Sequence, residues 1–206
     1  MYSKREEIVN AATHGLGVIL GVIGLFILLQ HDRELTPYST ISIWIYGLSI
    51  VVLYSASTFY HVVTKAKWKH RARILDHISI YYLIAGTYTP VCLITLYDSS
   101  GVWMFWTVWG VALFGTLLKL FFTGRFEKLS LLLYLLMGWI IVLDIENVIA
   151  SFSSQGLWLL ALGGACYTLG TVFYAVQKIP YNHGIWHIFV LAGSIFHYFF
   201  ILLDVV

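Results

Sequence analysis

Three histidines, an aspartate and a serine stand at the ends of long apolar stretches: Ser57 and His61 in STFYH, Asp76 in LDHIS, and His183 and His187 in HGIWH. Ionisable side chains are costly in an apolar membrane setting and are mostly retained for function. His183 and His187 are four residues apart, about one helical turn, so both rings leave the same face and can present two nitrogens to one ion. Ser57 and His61 repeat the spacing. If the stretches cross a bilayer, all five residues fall at one depth near one face. His61, His183 and His187 would then supply three nitrogens and leave a fourth position for water, as in catalytic rather than closed structural zinc sites. Zinc suits a histidine-rich set with one nearby carboxylate and no thiolate in register, and it makes hydroxide accessible near neutral pH. Asp76 would orient the water, accept its proton or support a ligating histidine. Ser57 would hydrogen-bond to the water or to a substrate carbonyl. A hydrogen-bonded polar network joining helices uses the same residue types at the same depth, so the sequence leaves both explanations open.

Other polar residues group around this set. Glu7, Asn10 and His14 in EEIVNAATH are spaced by three and four, which puts them on one side of a helix, either lining the same cavity behind the ligands or serving as a helix cap or interface. His77 points about 100° away from Asp76 on an ideal helix and is expected at a headgroup or a helix contact. His197 lies about 15 Å deeper than His187 at helical rise, too far to share its ion, and is expected as a buried hydrogen-bonding residue or part of a proton path. Asp144, Glu146 and Asn147 form an acidic group expected to be solvated at an interface. Cys92 and Cys166 both fall in apolar stretches, where small buried hydrophobes rather than disulfides are the default.

The elements that position these residues follow from composition. The 206 residues are 60% apolar, 17% aromatic and 11% charged, with a mean hydropathy of +0.84, against about 25% charged in soluble proteins. An all-α, polytopic membrane protein is expected, and at about 20 residues per span seven runs can be placed: 13–29, 41–63, 74–97, 102–122, 129–147, 157–176 and 183–206. The first is too long for a secretory signal and lacks a cleavage pattern, so it is expected to be retained. Short loops leave room only for a single seven-helix transmembrane domain over 1–206. Eleven of the twelve lysines and arginines fall on one side of this scheme, Arg33 alone on the other. The positive-inside rule then gives a cytoplasmic N-terminus and an external C-terminus, in a multi-pass plasma-membrane protein. The formal charge of +2 is small and spread along the basic rim, which argues against nucleic-acid binding and for membrane lipids as the partners. Pro90 is expected to kink span three or relax its hydrogen-bond ladder. Trp44, Trp103, Trp106, Trp139 and Trp158 are expected as interfacial anchors.

Taken together, these residues resemble the bacterial hemolysin III type within the broader progestin and adiponectin receptor family, over essentially the whole chain. Glu7, Asn10 and His14 match the family pattern at the first span, Ser57 and His61 its serine-to-histidine element, Asp76 the following aspartate, and His183 and His187 the late histidine pair. The resemblance implies seven helices around a zinc ion near the cytoplasmic face, held at His61, His183 and His187, with Asp76 contacting the zinc-bound water. It also implies, through likeness of the receptor branch to membrane ceramidases, a hydrolase acting on a lipid amide or ester. Two other functions remain on the sequence: a non-catalytic regulator or sensor of membrane homeostasis with a structural zinc, and a pore-forming hemolysin. A pore needs a continuous polar path, whereas the polar residues gather on one side of the membrane.

Overall fold

The computed structural model describes residues 3–176 and 178–206. It is all helical, with seven helices long and apolar enough to cross a membrane among the described residues. The helices are α1 (Lys4–Gln30), α2 (Ser39–Val62), α3 (Ala66–Pro90), α4 (Gly101–Phe122), α5 (Glu127–Gly138), α6 (Ile145–Ser151), α7 (Ser154–Ala175) and α8 (Asn182–Phe200). Neighbours in sequence pack as antiparallel pairs, α1 on α2, α2 on α3, α3 on α4 and α7 on α8, and α8 returns to α1. The close contact of α1 and α2 depends on Gly17, where a Cβ would come within 2.5 Å of the Tyr54 ring. The outer faces of α4, of α7 and of span five are largely exposed and apolar, with Phe121, Trp158 and Leu143 among the most exposed. Such faces suit a bilayer rather than water.

Two helices begin well before the apolar runs that announce them. The expected span at 13–29 is the apolar part of a helix that starts at Lys4, where Ser3 and Glu6 form a reciprocal capping box: Glu6 N donates to Ser3 Oγ at 3.3 Å and Ser3 N to Glu6 Oε2 at 2.7 Å. Such a box nucleates a helix regardless of hydropathy, and here it extends α1 by two polar turns. Likewise the basic stretch expected as a loop before residue 74 is helical from Ala66. Lys67, Lys69, Arg71 and Arg73 therefore project from the first turns of α3.

Three spans depart from regular α-helix, span seven only at its end, where a π-helical turn covers Ile201–Val205. Pro90 ends α3 and a π-helical turn, Val91–Thr95, completes the span, as expected of a residue that cannot donate to the ladder. Span five, expected as one helix over 129–147, is broken: α5 stops at Gly138, a 3-10 turn covers Ile140–Asp144, and α6 follows. The Tyr88 hydroxyl enters this break, donating to Gly138 O and accepting from Ile141 N, both at 2.9 Å. A side chain inserted into the ladder is a standard cause of a helix break. Trp139, expected as an interfacial anchor, sits at the break with Nε1 3.2 Å from Thr168 Oγ1 on α7.

Candidate metal centre

The last turn of α2 and the first two turns of α8 bring three imidazoles together. One ring nitrogen from each of His61, His183 and His187 lies within 4.8 Å of the others, and the ring centroids are 4.6–5.1 Å apart. All three are buried. α8 is started by Tyr181, whose left-handed backbone (φ 55°) turns the chain, and by Asn182, whose side-chain amide donates to Phe173 O at 3.0 Å on α7.

The polar turns of α1 orient two of these rings. His61 Nδ1 is 2.6 Å from Glu7 Oε2. Since a carboxylate only accepts, Nδ1 carries the proton and the lone pair is on Nε2. The second Glu7 oxygen accepts from Lys69 Nζ at 2.8 Å, so one carboxylate links α1 to the end of α2 and the start of α3. His187 Nδ1 is 3.1 Å from the Asn10 carbonyl oxygen, which again places the proton on Nδ1 and the lone pair on Nε2. Thr13 Oγ1, which donates to the same carbonyl at 3.0 Å, lies 3.3 Å from His187 Nδ1. A histidine whose far nitrogen donates to a carboxylate or a backbone carbonyl is the usual form of a metal ligand. The donor set thus fits a divalent ion such as zinc. Of the α1 residues singled out from the sequence, Glu7 acts through its side chain and Asn10 through its backbone. His14 instead stacks on His187, with centroids 3.5 Å apart and planes 9° from parallel.

Asp76 and Ser57 line the same cavity as His183 and His187, with the Ser57 hydroxyl turned to the Asp76 carboxyl group. The cavity has about 120 Å³ of room for the centres of water-sized spheres, where a single water takes about 10–15 Å³ on that measure. Its walls are mostly apolar, with Leu53, Leu83, Ile84, Leu135 and Val190 among them, and it extends along α8 to His197. On one flank it is bounded by Gly138 and Trp139 at the broken span and by Gly164 and Thr168 of α7.

Of its two expected places, His77 takes the helix contact. It is buried, lines the cavity, and its Nδ1 lies 3.5 Å from Glu127 Oε2. Glu127 also binds Lys119 Nζ at 2.8 Å and Arg73 at 3.2 Å. Lys119 is only 2% exposed, although its place near a helix end suggested a rim residue. Its position inside the apolar run GVWMFWTVWGVALFGTLLKLFF was the available signal, the same criterion that singled out Asp76. Of the acidic group, Glu146 and Asn147 are exposed and Asp144 is half-buried, with Asn147 Nδ2 donating to Asp144 Oδ1 at 2.9 Å. Cys92 and Cys166 are free thiols.

A family model described as "Haemolysin-III related" matches residues 2–198. The chain is 43% identical to a "Hemolysin-3 homolog" of Bacillus subtilis (strain 168), over 98% of this chain and 95% of that one. It is 42% identical to "Hemolysin-3" of Bacillus cereus, over 96% and 91%. The human "Monocyte to macrophage differentiation factor" is 31% identical over 94% of this chain and 82% of its own length. No solved structure matches.

Proposed function

Because the chain belongs to the haemolysin-III-related family, with a buried three-histidine cluster backed by α1, we propose that it is a zinc-dependent hydrolase of a membrane-lipid amide or ester. His61, His183 and His187 hold the ion. Bound zinc supplies a Lewis acid and lowers the pKa of water toward neutrality. Glu7 and the Asn10 carbonyl keep the His61 and His187 rings in the ligating tautomer. Asp76 accepts a proton from the attacking water as its oxygen bonds to the carbonyl carbon, and returns it to the amine or alcohol when the carbon–heteroatom bond breaks. Ser57 holds the Asp76 carboxyl group and offers its hydroxyl to the substrate carbonyl. The substrate enters from the bilayer, past the flank formed by Trp139 and Thr168. The basic ends of α1 and α3 face the cytoplasm of a plasma-membrane protein.

The orientation of two ligands through their far nitrogens carries this proposal, since a polar network that merely joins helices has no need to fix two imidazoles in one tautomer. The proposed likeness to the progestin and adiponectin receptors and to ceramidases points the same way. The apolar cavity walls give a pore no support. The test is metal content per chain by mass spectrometry on detergent-purified protein, with His187→Ala in parallel, followed by a screen of lipid amides and esters. Near-stoichiometric zinc, lost in His187→Ala, is expected. Asp76→Asn is expected to keep its zinc and to lose about 10²–10⁴-fold in hydrolysis, the usual worth of a positioned acid–base group. Zinc without any hydrolysis would favour a structural ion in a regulator. No metal in either protein would overturn the proposal.

A further inference from the structure

The hydrolytic step uses one end of the cavity and leaves the other without a task. At that far end α7 and α8 bring His197, Tyr167 and Ser194 together. His197 Nε2 lies 3.2 Å from the Leu160 carbonyl oxygen, so Nε2 carries the ring proton and Nδ1 is an acceptor. The ring is seated against Gly163, where any Cβ would overlap Cδ2 and Nε2. Tyr54 donates to Ser194 Oγ at 2.8 Å, and Ser194 Oγ lies 2.8 Å from the Tyr167 hydroxyl. Ser194 Oγ accepts from Tyr54 and shares a second bond with Tyr167, in which either hydroxyl can donate; when Ser194 does, its hydrogen goes to the Tyr167 oxygen. The Tyr167 O–H is then left to donate into the cavity that Tyr167 and His197 both line.

The Tyr167 hydroxyl, able to donate, and the His197 Nδ1 acceptor thus belong to one mostly apolar chamber, on rings whose centroids are 5.4 Å apart. A hydroxyl group, which both accepts and donates, satisfies such a pair. An unadorned hydrocarbon would leave His197 Nδ1 without a donor while Tyr167 kept only its Ser194 bond, and that is unfavourable. His187 and His197 lie on one continuous helix, and their ten-residue separation corresponds to about 15 Å. At C–C bonds of ~1.5 Å that advance by less than their length along an extended chain, this is roughly ten to twelve carbons.

We propose, building on the lipid-hydrolase function above, that the cavity selects acyl chains bearing a hydroxyl group roughly ten to twelve carbons from the carbonyl, bound between the Tyr167 hydroxyl and His197 Nδ1. The test compares 12-hydroxystearic acid with stearic acid, each displacing a fluorescent fatty acid from detergent-purified protein, with zinc measured on the same samples. The hydroxylated acid is expected to bind about tenfold more tightly, which corresponds to about 1.4 kcal/mol and matches two modest hydrogen bonds. Tyr167→Phe keeps the ring and removes only the hydroxyl. It and His197→Phe are expected to bring the two acids within about twofold of each other while stearic acid binding is retained. Equal affinities in the unmodified protein, a preference that survives Tyr167→Phe, or no binding of either acid to monodisperse protein would overturn the proposal. Loss of the preference with zinc retained would remove this subsite and leave the hydrolase intact, whereas preference without zinc would sink the hydrolase alone.

Discussion

Substituting Glu7 by Gln removes one negative charge from the centre without removing a ligand. In the structure its carboxylate receives His61 Nδ1–H at 2.6 Å and Lys69 at 2.8 Å. A glutamine retains one carbonyl oxygen for His61 but presents an amide NH₂ on its other side, so the Lys69 ammonium loses its counter-charge beside a metal-ligand ring. Groups placed behind ligating histidines typically contribute about 10- to 100-fold in metal affinity, or about 1.4–2.7 kcal/mol. Glu7→Gln is expected in that range, toward its upper end because a cation is left uncompensated as well. Lys69→Gln, which leaves the carboxylate on His61, is expected to change affinity by less than about threefold, since a part-exposed ion pair contributes little. The assay is zinc competition against chelators of graded affinity at fixed pH, on detergent-purified protein whose monodispersity matches the unmodified chain. A Glu7→Gln affinity within twofold of the starting protein would refute the role given to α1. A loss as complete as that of His187→Ala would equally refute it, by showing that Glu7 is itself a ligand.

Two further substitutions test the frame around the centre. Lys119→Met leaves Glu127 without its 2.8 Å partner beside His77 and Arg73. Only the lysine is fully buried, and Glu127, 28% exposed, keeps Arg73, so the loss falls below the ~3–5 kcal/mol of a fully buried pair; a lower melting temperature is expected, with much of it recovered when Glu127→Gln is added, and an additive double mutant would show the pair is not coupled. Tyr88→Phe strips Gly138 O and Ile141 N of their shared partner. It is expected to destabilise the protein by about 1–3 kcal/mol, read as a shift in thermal unfolding in detergent; an unchanged transition would show that the break in span five is held by other contacts.

The histidines could be found from the sequence because a four-residue spacing has one meaning on a helix, and because Ser57, His61, Asp76, His183 and His187 interrupt apolar runs where polar groups are conspicuous. Helices that continue into polar sequence were harder to see. Hydropathy stops at Thr13 and Ile74, yet the Ser3–Glu6 box carries α1 back to Lys4, and α3 begins at Ala66. The break in span five had no local cause to detect, since Tyr88 reaches it from 50 residues away. The Lys119–Glu127–Arg73 cluster was equally hidden, because its members look like ordinary rim charges until three helix ends converge on them. For His77, expected at a headgroup or a helix contact, the structure has the helix contact, with Glu127 of α5 brought to its side.

The division of labour at the centre has a mechanical side. The ligands belong to α2 and α8, while both tethers that fix their tautomers, the Glu7 carboxylate and the Asn10 carbonyl, belong to α1. A slide of α1 along its axis by one residue, about 1.5 Å, would stretch and misalign both tethers at once while leaving all three nitrogens in place. If the proposed centre holds an ion, grip on it would be geared to the height of a single lipid-facing rod. Bilayer thickness, which sets how far such a rod sinks, would be felt at the centre as a change in affinity rather than in shape.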